Sequence, residues 1–265
     1  MPSFPLIFSF ILGTLIGSFL NVVALRYNTG MGLKGRSKCF SCGKSLEWHE
    51  LVPVFSFLFQ KGKCKGCKSK ISWQYPLIEI LTGTLFVGIF YTFPPLTIEA
   101  SITTLFYIFI TCLLLIMTMY DVKHKIIPDV LSYTFSALAF AHLFISPTLS
   151  FVTPTWWALL AGPVLALPFA LLWLISKGTW MGLGDAKLVL GIGWILGINA
   201  GISAIALAFW IGAVVSLLWM YIVFKKLKSK YEIPFGPYLV LGMYIVLLSG
   251  VKVIDLAPFA EYVKI

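Results

Sequence analysis

Apolar stretches long enough to cross a lipid bilayer recur along this chain of 265 residues, and they decide what it can fold into. A helix needs about 20 predominantly apolar residues to span the hydrocarbon core, where each backbone N–H and C=O must be satisfied internally. Such runs fall near residues 5–25, 76–93, 100–120, 130–146, 155–176, 188–200, 202–224 and 238–256. Hydrophobic residues make up 59% of the chain and charged residues 11%, and the mean hydropathy of +0.94 lies outside the soluble globular range. The expected fold class is all-α, a polytopic membrane helix bundle of about eight transmembrane helices. The sixth run is short. Asn199, Ala200 and Gly201 read as a turn between two closely packed helices, so 188–224 also reads as one long kinked segment.

Charge sets the orientation. The segments 26–75, 121–129, 177–187 and 225–237 hold 10, 2, 2 and 4 Lys/Arg, which is 18 of the 20 present; Lys252 and Lys264 lie outside them. Alternation with the apolar runs puts all four segments on one side, and the positive-inside rule makes that side cytoplasmic. The net charge of +10 then reports topology and contact with anionic membrane lipid, and no nucleic-acid partner is expected. The first run reads as a retained helix, since no basic residue precedes it and no small-residue cleavage site follows. Gly13, Gly17 and Ser18 share a face suited to close helix packing. Asn21 is costly in lipid unless it faces protein, and an interhelical hydrogen bond is its simplest role.

The hydrophilic segment 26–75 carries Cys39-Phe40-Ser41-Cys42 and Cys64-Lys65-Gly66-Cys67. Two CxxC pairs at this separation match a four-thiolate zinc site, structural because four sulfurs close the coordination sphere. Lys38, Lys44, Lys63, Lys65 and Lys68 favour the thiolate form, and a reducing cytoplasmic location argues against disulfides. His49 lies between the pairs and is a substitute ligand or, more simply, a surface residue. Cys112 reads as a small apolar residue in a helix contact. The apolar middle of the segment, Leu51 to Phe59, is expected at the membrane interface or against the bundle, its ends pinned by the zinc knuckles into a lid or docking surface.

The chain has only ten acidic residues, and two of them, Asp121 and Asp185, stand where an apolar run meets a basic loop on the same side. A carboxylate near lipid costs several kcal/mol unless paired, hydrated or protonated. Two that meet across a bundle are the minimal equipment of an aspartic protease, one activating water and the other carrying a proton. Asp121 ends a helix, where the dipole disfavours a negative charge, so capping does not explain it. Asp185 follows Gly182-Leu183-Gly184, whose glycines allow close backbone approach and a sharp turn. Asp129, after Pro128, reads as a helix cap or dipole partner. Lys123, Lys125, Lys187 and His124 are neighbours able to tune the pair, with topogenic or solvated roles simpler.

At this point the residues resemble bacterial type IV prepilin peptidases. The resemblance is carried by Gly17-Ser18-Phe19-Leu20-Asn21-Val22-Val23 with Arg26, the paired CxxC segment ending Gln74-Tyr75-Pro76-Leu77-Ile78-Glu79, and Asp121 with Ile127-Pro128-Asp129. Gly182-Leu183-Gly184-Asp185-Ala186-Lys187 and Pro234-Phe235-Gly236-Pro237 complete it. The resemblance implies a polytopic aspartic endopeptidase of the cytoplasmic (inner) membrane that cuts a basic leader from type IV prepilins or pseudopilins, after a glycine, with Asp121 and Asp185 catalytic. It further implies methylation of the new N-terminus from S-adenosylmethionine, an activity associated with the N-terminal region and the cysteine segment. On that basis residues 1–99, with the zinc loop 26–75, form the methyl-transfer part, and 100–265 the membrane-embedded peptidase domain. Glu79 is a candidate contributor to methyl transfer, with pairing to the basic loop as the alternative. Phe40 stands where the family often has proline, which leaves the sulfur spacing unchanged. A presenilin-type intramembrane protease shares the Gly-x-Gly-Asp feature, but the CxxC pairs and Ile-Pro-Asp argue against it. A non-enzymatic zinc-stabilised scaffold or transporter is the alternative from another class.

Overall fold

The computed structural model describes residues 3–30, 32, 35–145, 150–224 and 233–253. Among them the regular structure is helical: α1 (Ser3–Arg26), α2 (Phe55–Phe59), α3 (Gln74–Thr92), α4 (Ile98–His124), α5 (Asp129–His142), α6 (Trp156–Ser176), α7 (Leu183–Phe224) and α8 (Gly236–Ser249). The only β features among the described residues are isolated bridges, such as Lys38 to Ser45 and Lys63 to Lys70. Helices α1, α3, α4, α6 and α7 are long and apolar enough to cross a membrane. The expected all-α membrane architecture is therefore present. Helix α8 is shorter than the apolar run at 238–256, because Gly250 turns left-handed at φ 66° and caps it. Of the basic segment 225–237, residues 225–232 lie outside the described residues, as does Lys264.

Helix α7 is two antiparallel helices in one. Gly197 adopts φ 75° and ψ −180°, a conformation essentially reserved for glycine. A Cβ built on Gly201 would lie 3.9 Å from the Gly193 Cα, whereas residues so far apart in a straight helix are separated by about 12 Å. The chain thus reverses at Gly197, and not at Asn199–Gly201 as the composition of that stretch suggests. Asn199 and Gly201 stay helical, and Gly201 instead provides room for the opposing Gly193 and Leu165.

The chain divides into two compact units, Met1–Ile116 and Met117–Ile265, with the boundary inside α4. In the first, α1 packs on α3 through glycine. A Cβ on Gly13 would come within 2.7 Å of the Gly83 Cα, and one on Gly17 within 3.0 Å of the Glu79 Cα. Lipid gives no hydrophobic drive for helix association, so backbone approach of this kind supplies the dispersion contact that holds the pair. Asn21 is fully buried between them and donates from Nδ2 to the carbonyl of Tyr75 at 3.4 Å, the interhelical bond expected of it.

In the second unit, α6 meets the first half of α7 where Gly162 lies against the Leu190 carbonyl and Gly193 against the Ala161 carbonyl. Pro163 cannot donate to the carbonyl of Leu159. The indole Nε1 of Trp194 takes up that freed carbonyl at 3.0 Å, as satisfaction of the backbone in lipid requires. Helix α5 seats the buried Phe135 ring over Gly191, and the Ser136 hydroxyl donates to the carbonyl of Lys187 at 3.0 Å. Helix α8 closes against the second half of α7 where Gly242 meets Ala204. Nothing lies within 4 Å of a Cβ added at Gly197, so its substitution tests the backbone alone. Gly197→Ala is expected to cost about 1–3 kcal/mol in the detergent-solubilised protein. Thermal unfolding checks this, and an unchanged midpoint would refute the reversal.

Candidate aspartate pair and cysteine cluster

Three elements of the second unit converge on two buried carboxylates. Asp121 lies in the last turn of α4 and is 5% exposed; Asp185 lies in the first turn of α7 and is 8% exposed. The two are within range of each other's charge. The backbone N–H of Gly236, at the start of α8, donates to Asp121 Oδ2 at 3.2 Å. A Cβ on Gly236 would stand 2.6 Å from that oxygen, so only glycine lets the α8 terminus approach the carboxylate. Gly184 is equally constrained: its Cβ would meet the Ile127 Cβ at 2.8 Å. Gly182 has open space and neither glycine is left-handed, so of the two only Gly184 is required, for close approach. The turn itself is closed by the Asp185 N–H donating to the Gly182 carbonyl at 3.3 Å.

Of the two roles expected for Asp129, cap or dipole partner, the structure gives the second. Pro128 occupies the cap position of α5, and Asp129, in its first turn, accepts from Lys187 Nζ at 2.6 Å. Lys187 also sits over the Tyr133 ring at 4.5 Å. Lys187 is thereby committed to Asp129 and leaves Asp121 and Asp185 to each other. His124 stacks on Tyr120 with centroids 4.4 Å apart. Sequence reasoning did not single out Gly236 as a donor, Ile127 as the wall behind Gly184, or Thr118. The Thr118 hydroxyl is buried without a partner among the described residues and lines the same small void as Asp121. Its only signal was its position one turn before Asp121.

In the first unit the two CxxC pairs repeat one local structure. The N–H of Cys39 donates to the Lys44 carbonyl and that of Gly43 to the Cys39 carbonyl; Cys64 with Ser69 and Lys68 with Cys64 do the same. The left-handed residue is Gly43 in one turn and Lys68 in the other. These turns bring the sulfurs of Cys39, Cys42, Cys64 and Cys67 within 4.8 Å of one another, with Cys39 and Cys67 Sγ 3.8 Å apart. Tetrahedral zinc with Zn–S of 2.3 Å implies sulfur separations of about 3.8 Å, so the cluster fits a zinc ion. Backbone N–H groups of Cys42 and Ser41, with the Ser69 hydroxyl, hold the Cys39 thiol down at about 6. The lysines are not the main cause. Lys44 instead pairs with buried Glu50 at 3.1 Å. The Glu47 N–H and Lys44 keep that carboxyl below its ordinary range. His49 faces Glu47 at 3.4 Å and is outside the thiol cluster. Phe57 is buried and packs on Trp73, while Leu51, Phe55, Leu58 and Phe59 remain exposed.

Comparison with known proteins identifies the chain's family. The profile of the Type IV leader peptidase family matches residues 108–217, and that of the Bacterial Peptidase A24 N-terminal domain matches 11–93. The Prepilin leader peptidase/N-methyltransferase of Bacillus subtilis (strain 168) is 32% identical over 251 residues, 93% of this chain and 95% of the relative. The chain belongs to the type IV leader peptidase family. Relatives of the same description from Pseudomonas aeruginosa and Xanthomonas campestris pv. campestris are 30% and 29% identical. They are covered over 93% and 91% of their lengths, and this chain over 94% and 92%. No solved structure matches the chain significantly. Membership of this family and the apolar helices make it a multi-pass inner-membrane protein. Purified protein is expected to carry zinc, and Cys64→Ser to lose it together with protection of residues 36–72 from proteolysis. Metal analysis and limited digestion check this; full zinc in the variant would refute the four-thiolate site.

Proposed function

We propose that the protein is a membrane aspartic endopeptidase that removes the basic leader from type IV prepilins or pseudopilins at the cytoplasmic membrane face. We further propose that it methylates the new N-terminus with S-adenosylmethionine as methyl donor, and that Cys39, Cys42, Cys64 and Cys67 hold a structural zinc. The observation that carries the peptidase reading is the burial of Asp121 and Asp185 within range of each other's charge, in a chain of the leader peptidase family. Relatives named prepilin leader peptidase/N-methyltransferase support both activities.

The two carboxylates divide the proton chemistry between them. Each carboxylate has a backbone donor, Gly236 for Asp121 and Gly182 for Asp185. One of the pair carries the negative charge and takes a proton from water, and the other holds a proton and gives it to the scissile carbonyl oxygen as the hydroxyl adds. Collapse of the tetrahedral adduct breaks the C–N bond: the proton taken from water passes to the leaving amine, and an adduct O–H returns its proton to the carboxylate that gave it as C=O re-forms. Lys187, engaged by Asp129, does not neutralise the pair.

Cleavage of a model prepilin in detergent tests this. Asp121→Asn and Asp185→Asn are each expected to lower the rate by at least about 10³-fold, with helical content retained. Equal cleavage by wild type and both variants would sink the aspartate mechanism. Gly236→Ala displaces the Asp121 carboxylate and is expected to cost about 10²-fold. Gly182→Ala, with open space around it, should cleave like the wild type.

A further inference from the structure

The first unit holds a cavity of about 840 Å³, enclosed by the inner half of α1, the start of α3 and the cysteine segment. It is of the size that accommodates a nucleoside-sized ligand with part of a peptide. Glu79, in α3, lines it and is only 6% exposed. A carboxylate at such a place needs a cation or a full set of donors. The donors to Glu79 are neutral: the Val54 N–H, at 2.7 Å from Oε2, and the Ser18 hydroxyl. Val54 holds φ 61°, a rare conformation for a β-branched residue, in presenting that N–H. Among the described residues Glu79 has no ion pair, its alternative role of pairing with the basic loop included. Other ionisable side chains on the cavity wall are Arg26 from α1, Tyr75 from α3, and Arg36, Lys38, Lys70 and Glu50 from the loop. Glu50 is already satisfied by Lys44 and the Glu47 N–H. The thiols Cys39 and Cys64 complete the wall.

A roomy cavity therefore has a buried carboxylate without a cationic partner, and several cations elsewhere on its wall. We infer that this cavity is the methyl-transfer site and that Glu79 receives the α-ammonium of the newly cut substrate, which rests on the N-methylating activity proposed above. Glu79 takes one proton from the ammonium, leaving a neutral amine. The nitrogen lone pair then forms the N–CH₃ bond while the S–CH₃ bond breaks, its electron pair returning to sulfur. The product is a methylated ammonium, a neutral thioether and protonated Glu79, which returns its proton to water. Charge and atoms balance, and no further reactant is needed. Glu79 thus acts on the reacting nitrogen itself as its proton acceptor, and its role is separate from Asp121 and Asp185.

Glu79→Gln preserves shape and an acceptor for the Val54 N–H. Leader cleavage and methyl addition are read by mass spectrometry in one tube. Cleavage and zinc content are expected unchanged, and methylation reduced at least about 100-fold at pH 7. An α-amine titrates near 7.7–8.0, so the variant should recover by about tenfold between pH 7 and 9 as the amine deprotonates unaided. Glu79→Asp should retain part of the activity. A mature-pilin peptide with a free N-terminus should bind wild type about tenfold tighter than its N-acetylated form, a preference absent in Glu79→Gln. Methylation by Glu79→Gln at the wild-type rate would overturn this inference alone. Parallel loss of cleavage, zinc and methylation would assign Glu79 to loop anchoring only, also overturning it. No methylation by wild type would remove the methyl-transfer reading and this inference together.

Discussion

Backbone-to-backbone approach through glycine is the contact on which this structure depends. In lipid, apolar side chains gain little by leaving one apolar surrounding for another, so helices associate where dispersion contact is densest. Gly13, Gly17 and Gly83 do this for α1 and α3, Gly162 and Gly193 for α6 and α7, and Gly242 for α8. The same device then does chemistry. At Gly184 it brings the start of α7 against Ile127, and at Gly236 it brings a backbone donor onto Asp121. A methyl group at either position would act first on the placement of a carboxylate.

Acidic residues are too few here to be decorative, and their environments sort them. Asp129 and Glu50 are each matched by a lysine, Lys187 and Lys44. Asp121 and Asp185 lie within range of each other's charge, each with a backbone donor, Gly236 and Gly182. Glu79 has a backbone donor and no cation. The matched carboxylates fasten elements together. Those left without a cation are the ones for which a substrate or proton is the natural complement.

The membrane class, the helices, the thiol cluster and the two aspartates were legible because each depends on composition or spacing along the chain. Apolar run length reports a helix, and a CxxC turn brings two sulfurs together irrespective of what surrounds it. The site of reversal in α7 was misplaced because Asn199-Ala200-Gly201 has turn composition, whereas Gly197 differs from its neighbours only in φ. The place of Asp129 at the start of a helix was legible, but its ion pair with Lys187 was not, because that partner is remote in sequence. The lysines around the thiols looked like their electrostatic support, yet Lys44 is spent on Glu50 and the backbone does more for Cys39. The Gly236 donor had no local signature, since its partner Asp121 lies on a different helix.

The Trp194–Leu159 hydrogen bond has an evolutionary corollary. Proline at 163 opens a carbonyl that lipid cannot satisfy, and an indole on the neighbouring helix closes it. Gly162 leaves the space through which that ring reaches across. These three positions therefore form one heritable unit. A lineage that restored an N–H at 163 would be released from keeping tryptophan at 194, whereas one that changed 194 first would pass through a less stable intermediate.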